Sequence, residues 1–302
     1  MTVAGWPFPR LDDGRVVVPA PNAGPGNWSG AASAALVDGV HYLAYRVRQP
    51  LIEGRGVRTT LARSADGLVF ETICEVSRDL VGAESFERPV ALRRPDGGWR
   101  LYLSCATPAS KHWWIEALDA DTPESLPNGR RTVVLPGSDT VAVKDPVIVV
   151  GPEGTWHAWI CEHPLTEAGQ EDRMSTAYYS SRDGLAWTRH GTVLTPRPGS
   201  WDARGARVTA VLSLEPLVVL YDGRPTAEDN WHERCGVAVA EPGAGPASAL
   251  TSVTDVPHHS SASDGAWRYA SAVTLPDGST RLFAEVARPD GAHDTVTYLV
   301  PA

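Results

Sequence analysis

The sequence predicts an all-β protein built of many short strands. The 302-residue chain carries 28 Gly and 25 Pro along its whole length, and 11 Trp against only 4 Phe. Gly and Pro are typical of turns, whereas aromatic residues favour strands. No segment of ordinary helix length has the 3.6-residue apolar period of an amphipathic helix. We therefore expect strands joined by tight turns.

Internal repeats indicate how these strands are arranged. Residues 64–70 (SADGLVF) return 117 residues later as residues 181–187 (SRDGLAW). Pro89 and Pro146 open two similar segments, separated by 57 residues, and in both a Trp follows ten positions after the Pro. A strand, a tight turn and a second strand can be placed three more times, within residues 31–45, 208–221 and 270–286. Five units of roughly 55 to 60 residues, with four strands each, predict a five-bladed β-propeller.

The repeats also predict the domain organisation. We expect one domain over residues 1–302, with blades at about 27–80, 85–136, 143–196, 203–256 and 266–300. The last unit lacks a fourth strand, and residues 15–18 form a short apolar strand with no partner nearby in the sequence. We predict that residues 15–18 close the ring as the outer strand of the last blade, since this pairing covers two open strand edges.

Charge and composition exclude several classes of function. The formal net charge of -9 argues against binding to nucleic acid or to an anionic membrane surface. There is no apolar stretch near the roughly 18 residues of a membrane span, and the first residues do not resemble a signal peptide. A cytoplasmic location is therefore expected. The four cysteines form no C-x-x-C pair, so free thiols are expected. No cofactor motif or metal-ligand spacing is present, so no cofactor and no metal site are expected. The sequence does not specify the oligomeric state.

The longer loops indicate which face of the propeller carries the functional site. The turns between first and second strands are minimal, whereas the connections between second and third strands are long and polar. Function is concentrated on loops held by a rigid scaffold, so we expect a pocket on this face, centred on the propeller axis. The alternative is that these loops are polar only because they lie on the surface.

Three carboxylates are the candidate catalytic groups. Glu87, Asp145 and Asp202 lie at the starts of three neighbouring inner strands, where they would converge on the axis. Glycoside cleavage needs one neutral carboxyl group and one ionised carboxylate, and nearby like charges separate their pKa values. The alternative is that these carboxylates form structural ion pairs, Glu87 with Arg88 or Arg204 and Asp145 with Lys144.

Other residues near the same strand ends are candidates for substrate binding. Indole rings suit the C–H-rich faces of sugars, and guanidinium groups suit phosphate or carboxylate. The candidate residues are Trp28, Arg88, Trp113, Glu162, Trp201, Arg204, Arg207 and Trp267.

Two short motifs carry a resemblance to a known group of enzymes. Residues 87–89 (ERP) and 144–146 (KDP), together with the Ser-x-Asp-Gly turns, resemble the five-bladed propeller glycosidases of families 43, 32, 62 and 68, and more distantly the family 130 phosphorylases. The resemblance covers nearly the whole chain at the level of blade layout. It implies that Asp145 takes the place of an aspartate that tunes the pKa of the catalytic acid in family 43.

The sequence departs from family 43 at two other positions. Residues 28–30 (WSG) stand where the general base would be, and Asp202, Arg204 and Arg207 stand near the place of the general acid. We predict a glycoside hydrolase-like enzyme that cleaves or rearranges a glycosidic bond of a small soluble sugar conjugate. The alternatives are a non-catalytic propeller that binds a glycan or a partner, and a propeller enzyme used for phosphorolysis or natural-product biosynthesis.

Overall fold

A computed structural model describes residues 6–302 of the chain, and these residues form an all-β structure. Sheet I contains β2 (Trp28–Val37), β3 (Val40–Arg48), β4 (Gly56–Ser64) and β5 (Glu71–Ser77). Sheet II contains β6 (Val90–Arg93), β7 (Trp99–Ala106), β8 (Trp113–Ala120) and β9 (Arg130–Leu135). Sheet III contains β10 (Val141–Val150), β11 (Trp156–Pro164), β12 (Ser175–Ser181) and β13 (Thr188–Leu194).

The remaining strands form two further groups. Sheet IV contains β14 (Gly205–Leu214), β15 (Leu217–Arg224), β16 (Arg234–Val239) and β17 (Thr251–Ser252). Sheet V contains β18 (Trp267–Thr274), β19 (Thr280–Ala287) and β20 (His293–Val300), with β1 (Arg15–Val18) paired to β20. The helical segments are short: α1 (Arg78–Val81) and 3-10 turns at Leu11–Asp13, Leu51–Glu53 and Pro123–Asn128. In each sheet the strands follow one another in antiparallel order, as the sequence repeats predicted.

The apolar core is divided among the interfaces between sheets. Separate buried clusters lie between sheets I and II, II and III, III and IV, IV and V, and V and I. Each sheet is therefore covered on both faces, which explains why its strands are apolar without strict alternation. Sheets V and I are also joined by a single parallel bridge between Trp28 and His293. The four-stranded sheets and their cores are consistent with a β-propeller.

The repeated Ser-x-Asp-Gly phrase forms the same turn in sheets I and III. In sheet I the Ser64 hydroxyl accepts the Gly67 amide at 2.9 Å, and in sheet III the Ser181 hydroxyl accepts the Gly184 amide at the same distance. Both glycines have positive φ, 72° and 69°, a conformation that glycine adopts without steric cost. Tyr102 donates to the Gly184 carbonyl at 2.7 Å, so this turn also fastens sheet III to sheet II.

The N-terminal strand pairs with the last strand of the chain. Arg15 lies opposite Thr297 and Val18 lies opposite Thr295, in antiparallel register with one irregularity between them. Val18 is buried in the cluster between sheets V and I. Nearby, Phe8 stacks on His258 with ring centroids 4.7 Å apart.

Two further properties of the described residues bear on the expectations from sequence. No helix in residues 6–302 is long and apolar enough to cross a membrane. All four cysteines are free; Cys105, Cys161 and Cys235 are buried, and Cys74 is half-buried.

Replacing Val18 with serine should destabilise the protein more than replacing Val16 with serine. Val18 is 9% exposed, whereas Val16 on the same strand is 54% exposed. Loss of a buried Val side chain costs about 1.5 kcal/mol, which corresponds to a few degrees in melting temperature. Deletion of residues 1–19 should lower the melting temperature further, because it uncovers the edge of β20. Equal melting temperatures for the two serine variants, or an unchanged curve after the deletion, would contradict this packing.

Candidate active site

A pocket of about 310 Å³ lies on the face predicted from the long loops. We call it the central pocket. It is lined by residues of the connections between second and third strands in sheets I to IV, which include Leu51, Arg55, Ser110, Lys111, Glu171, Asp172, Asn230 and Trp231. Its base is formed by strand residues, which include Arg46, Lys144, Arg207, Arg224, Arg268 and Tyr269, and by Glu87 and Glu233 just before β6 and β16.

Three first strands are distorted where they approach this pocket. Ala31, Asp145 and Tyr269 have φ values of 50°, 52° and 51°, which side chains other than glycine rarely adopt. The strand register shifts at each of these positions, in β2, β10 and β18. Bulges of this kind change the direction of a side chain relative to a regular strand. Here they bring the Asp145 carboxylate and the Tyr269 hydroxyl together, with their oxygens 3.3 Å apart.

Beneath the pocket, buried charges from several sheets are connected in a network. Arg46 on β3 donates to Glu87 and, at 2.8 Å, to Glu285 on β19. Arg268 on β18 donates to the other oxygen of Glu285 at 2.7 Å and also to Glu233. Glu233 in turn accepts from Arg224 on β15 at 2.7 Å. We call this set, together with the Arg207 pairs described next, the central ion network.

Arg207 joins the remaining carboxylates to the central ion network. Its guanidinium donates to Asp145 at 2.9 Å and to Asp222 at 2.8 Å, and it also donates to the Tyr269 hydroxyl at 2.9 Å. The same hydroxyl lies 3.3 Å from oxygens of both Glu87 and Asp145. These two carboxylate oxygens are therefore no farther apart than twice that distance. The structure thus brings Glu87 and Asp145 together around one phenol.

The surrounding cations keep most of these carboxylates ionised. Burial opposes the charge of Glu87, but the attraction of Arg46 and Lys144 outweighs it and lowers the pKa of the carboxyl to about 2. Burial likewise opposes the charges of Asp145 and Glu233, yet neighbouring cations hold both pKa values below the ordinary range. Burial raises the pKa of the Tyr269 phenol well above 10, so this hydroxyl is neutral.

Asp222 behaves differently from the other buried carboxylates. Burial raises its pKa to about 6, although Arg207 attracts the charged form. Its Oδ2 accepts from Arg207 and from the Tyr269 amide, whereas its Oδ1 has no hydrogen-bond partner. Asp222 is fully buried and does not line the pocket. Asp222 is therefore connected to the pocket only through its hydrogen bonds with Arg207 and Tyr269.

Glycine at position 30 makes room for a carboxylate from another sheet. A Cβ atom at Gly30 would lie 2.2 Å from Oε2 of Glu285. That oxygen accepts the Ala31 amide at 2.9 Å as well as Arg46. The segment Trp28–Gly30 carries no acid of its own, and the space beside it is filled by Glu285 from sheet V. Burial opposes the charge of the Glu285 carboxyl, but the guanidinium groups of Arg268 and Arg46 outweigh it and lower the pKa.

One wall of the central pocket is rich in cations that are not fully paired. The chain contains only two lysines, Lys111 and Lys144, and both line this pocket. The Lys144 ammonium lies 4.8 Å from the Trp113 ring centroid and 3.6 Å from Asp145. Arg55 lies 5.7 Å from the same ring, and its Nε has no hydrogen-bond partner. This wall, Arg55, Lys111, Trp113 and Lys144, suits an anionic group.

Several residues predicted for the site are placed elsewhere by the structure. Asp202 is buried between Arg197 and Tyr221, which donate to it at 2.9 Å and 2.8 Å. Glu162 accepts from Tyr179 at 2.7 Å and from Arg189 at 2.8 Å, beside a different pocket. Both carboxylates are thus held in ion pairs outside the central pocket.

The tryptophans and the other arginines also divide between the pocket and the core. Trp201 packs on Tyr221, and Trp267 packs on Phe8 and Tyr298, so both belong to the apolar core. Trp113 alone of the four predicted tryptophans lines the central pocket, while Trp28 lines a neighbouring groove. Arg204 is bound by Asp172 at 2.7 Å, at the rim of the pocket.

Arg88 lies on the far side of the first strands, away from the central pocket. It lines a cavity of about 130 Å³ to which β2, β6, β10, β14 and β18 all contribute. Its backbone amide donates to Asp145 at 3.1 Å, and its guanidinium donates to the Ala270 carbonyl at 3.3 Å. Glu87 therefore pairs with Arg46 instead of with its neighbour Arg88 or with Arg204. Asp145 pairs with Arg207 and, at longer range, with Lys144.

Most residues of the central ion network were not predicted from the sequence. Arg46, Asp222 and Glu285 occupy one position in the second strands of sheets I, IV and V, opposite Gly30, Arg207 and Arg268. A charged residue at the same place in three mainly apolar strands is the signal that would have found them. Within residues 6–302, no group of three or more His, Cys, Asp or Glu side chains is arranged to hold a metal ion.

Comparison with known proteins shows which structures share this fold. No protein-family model matches the chain, and no curated protein matches it. A thermostable family-43 glycoside hydrolase superposes with a TM-score of 0.69 at 15% identity, covering 94% of this chain and 91% of its own. An α-L-arabinofuranosidase from Lactobacillus brevis gives 0.67 at 14% identity, with 90% of each chain covered. A β-1,2-mannobiose phosphorylase from Listeria innocua gives 0.61 at 14% identity, covering 98% and 92%. The chain has the fold of these propeller enzymes, as the resemblance in its sequence implied.

The two aspartates bound by Arg207 should respond to pH in opposite ways. The pKa of Asp222 is raised from its ordinary value of 3.8 to about 6, so proton binding by Asp222 stabilises the folded protein. This stabilisation is complete below about pH 4 and is lost as the pH rises through about 6. Asparagine resembles the protonated acid. Asp222→Asn should therefore gain in melting temperature relative to the wild type as the pH is raised from 4 to 7.

Asp145→Asn is the matched control for this experiment. The pKa of Asp145 is lowered, so its contribution is present above about pH 4 and is lost as the pH falls. This variant should be most destabilised at neutral pH and approach the wild type in acid. If the melting temperatures of both variants changed with pH in the same way relative to the wild type, the opposite pKa shifts of Asp145 and Asp222 would be wrong.

Proposed function

We propose that this protein is a glycosidase-like enzyme that cleaves or rearranges a glycosidic bond of a small sugar conjugate in the central pocket. The observation that supports this most strongly is the convergence of Glu87 and Asp145 on the Tyr269 hydroxyl at the base of that pocket. Paired carboxylates are the groups that glycoside cleavage uses. The shared fold of the solved propeller enzymes adds support by analogy.

In this proposal Glu87 is the group that accepts a proton. It lines the pocket, and its lowered pKa keeps it ionised at neutral pH. Asp145 is fully buried one layer below and acts as a positioning residue. It accepts from Arg207 and lies within hydrogen-bonding distance of Tyr269. It thereby holds the phenol between the two carboxylates.

The ionised state of the buried carboxylates limits the leaving group. Glu87 and Glu233 are the buried acids that line the pocket, and cations lower the pKa of both. Neither of them supplies a proton at neutral pH, unlike the raised-pKa acid of a standard glycosidase. The proposed reaction therefore suits a leaving group that departs readily as an anion, such as phosphate or a phenol.

The cationic wall at Trp113 suits an anion in the same reaction. Arg55, Lys111 and Lys144 would bind a phosphate or carboxylate of the substrate, or inorganic phosphate as a co-substrate. Phosphorolysis is therefore included in the proposal.

A non-catalytic sugar-binding protein is the second candidate function. Each carboxylate of the central ion network is bound to at least one guanidinium group, which is also what a purely structural network requires. Such a protein would bind an anionic sugar at the cationic wall without turnover.

We further propose that the five sheets close into one five-bladed domain. The first strands contact one another in the order β2, β6, β10, β14 and β18, and β18 contacts β2. The apolar cluster between sheets V and I, to which Val18 contributes, supports the closure that we expected from residues 15–18.

Glu87→Gln should reduce turnover by about two orders of magnitude or more, because it removes the ionised proton acceptor. Substrates are found by screening aryl furanosides and pyranosides with and without inorganic phosphate. Asp202→Asn is the control, since Asp202 is also a buried, arginine-paired acid but lies outside the pocket. It should lower the melting temperature and leave turnover per folded molecule near normal. Normal turnover in a folded Glu87→Gln variant would remove Glu87 from the reaction.

Lys144→Met should weaken binding of inorganic phosphate by about tenfold, because it removes a cation from the wall at Trp113. Lys111→Met should have a smaller effect, since Lys111 is exposed and its charge is screened by solvent. Arg63→Met, on the surface away from the pocket, serves as control. Titration calorimetry with phosphate measures all three. Equal affinity in the Lys144 and Arg63 variants would contradict the assignment of an anion to this wall.

A further inference from the structure

A larger apolar groove lies beside the central pocket. It has a volume of about 710 Å³, and its walls come from the segment before β2, the β3–β4 connection and the β15–β16 connection. Its apolar lining residues are Pro25, Trp28, Pro50, Leu51, Ile52, Ala227 and Trp231, and its charged lining residues include Arg48, Glu228 and Asp264. We call it the apolar groove.

The apolar groove and the central pocket adjoin each other. Leu51, Asn230 and Trp231 line both. The two compartments differ in chemistry, since the central pocket is lined by seven basic side chains and the groove mainly by apolar ones. A ligand that extends past Trp231 would therefore place a polar part on one side and an apolar part on the other.

Two large apolar side chains of the groove are exposed to solvent. Ile52 is 95% exposed and Leu51 is 56% exposed, and both lie on the 3-10 turn Leu51–Glu53. Isolated exposed apolar residues are common on protein surfaces, but here they border a concave site. Contact with an apolar ligand would remove this surface from water.

Trp231 is held in an unusual and fixed position between the two compartments. Its φ is 80°, a left-handed conformation that is strained for a bulky residue. Its ring lies 6.2 Å from the Trp28 ring, edge to face, and the Arg48 guanidinium lies 4.7 Å from its centroid. Arg48 in turn stacks on Trp28 at 3.9 Å. These contacts give Trp231 a defined orientation suitable for stacking on a flat ring.

We propose that the apolar groove binds an aromatic aglycone, so that the substrates are aryl glycosides with the sugar in the central pocket. The inference rests on the proposed function and names its substrate class. A phenol has a pKa near 10, like the Tyr side chain, and leaves without protonation by a carboxylic acid. This matches the ionised state of Glu87 and Glu233 described above.

Hydrolysis of an aryl glycoside consumes one water molecule and releases the phenol. The oxygen of a water molecule bonds to the anomeric carbon, and one of its protons passes to Glu87. The bond from the anomeric carbon to the phenolic oxygen breaks, and the phenolate leaves with the electron pair. Glu87 then returns the proton to solvent, from which the phenolate takes one, so the products are the free sugar and the phenol.

The test compares phenyl glycosides with glycosyl fluorides of the same sugars, using the whole chain. Fluoride leaves without protonation and has no apolar part for the groove, so the ratio of the two kcat/KM values is the phenyl preference. For each sugar that is cleaved, kcat/KM is measured for the wild type, Ile52→Ser and Val69→Ser. Val69 is 77% exposed and lies outside the groove, so its variant is the matched control. We expect the phenyl preference to fall by about tenfold in Ile52→Ser and to stay unchanged in Val69→Ser. Val69→Ser should match the wild type on both substrates.

Intrinsic reactivity of phenyl glycosides is separated from binding by this design. A phenyl preference that is identical in the wild type and in Ile52→Ser, with glycosyl fluorides also cleaved, would overturn the groove as an aglycone site and leave the proposed function intact. Phenyl glycosides could instead bind without being cleaved, with weaker binding to Ile52→Ser in calorimetry. That result would support the groove as a binding site and overturn the enzymatic function. Neither turnover nor binding across the panel would overturn both.

Discussion

The burial of many charges between the sheets is the constraint on which the rest of this site depends. An isolated charge in a protein interior costs several kcal/mol, so each buried carboxylate needs a cation and further hydrogen bonds. The central ion network meets this need by linking residues from different sheets. Glu285 on β19 is bound by Arg46 from sheet I and by Arg268 from its own sheet. Asp145 of sheet III is bound by Arg207 of sheet IV. The network therefore fixes the relative positions of sheets as well as the site.

This constraint explains local features that are otherwise costly. A side chain at position 30 would collide with Glu285, which accounts for glycine at the start of β2. The strained conformations of Asp145 and Tyr269 place both side chains against Arg207. Backbone strain of this kind costs about 1 to 3 kcal/mol per residue and persists where the surrounding structure holds it. The concentration of such features at one pocket supports a functional role for it.

The same network sets the chemistry available in the central pocket. Cations that stabilise Glu87 and Glu233 also keep them from acting as proton donors at neutral pH. The remaining positive charge is found at Arg55, Lys111 and Lys144, next to Trp113. The adjoining apolar groove adds a second compartment with opposite character. Together these features favour a substrate with an anionic or polar sugar and an acidic, apolar leaving group, or a reaction with phosphate.

Local patterns in the sequence predict the order of the strands and the face on which the pocket lies. Turn residues and strand patterns are local properties, so the repeats around Ser64 and Ser181 and the isolated strand Arg15–Val18 were recognised without a structure. Glu87 was predicted just before a first strand, and it precedes β6 (Val90–Arg93). Asp145 was predicted to begin a first strand, but it lies in the middle of β10 (Val141–Val150), because Pro146 occupies a bulge and does not mark the strand start. Long connections correctly indicated the face that carries the pocket.

The pairing of charged side chains depends on how the sheets pack and is not visible in local sequence patterns. Asp202 was expected at a position similar to that of Asp145, but it lies before β14, whereas Asp145 lies within β10. Asp202 binds Arg197 and Tyr221, and Glu162 binds Arg189. Arg46 pairs with Glu285 across 239 residues of sequence, a contact that depends on the packing of sheet V against sheet I. Pairings of this kind depend on bulges, on the space left by Gly30 and on sheet packing. These are properties of the assembled sheets, and no local pattern specifies them.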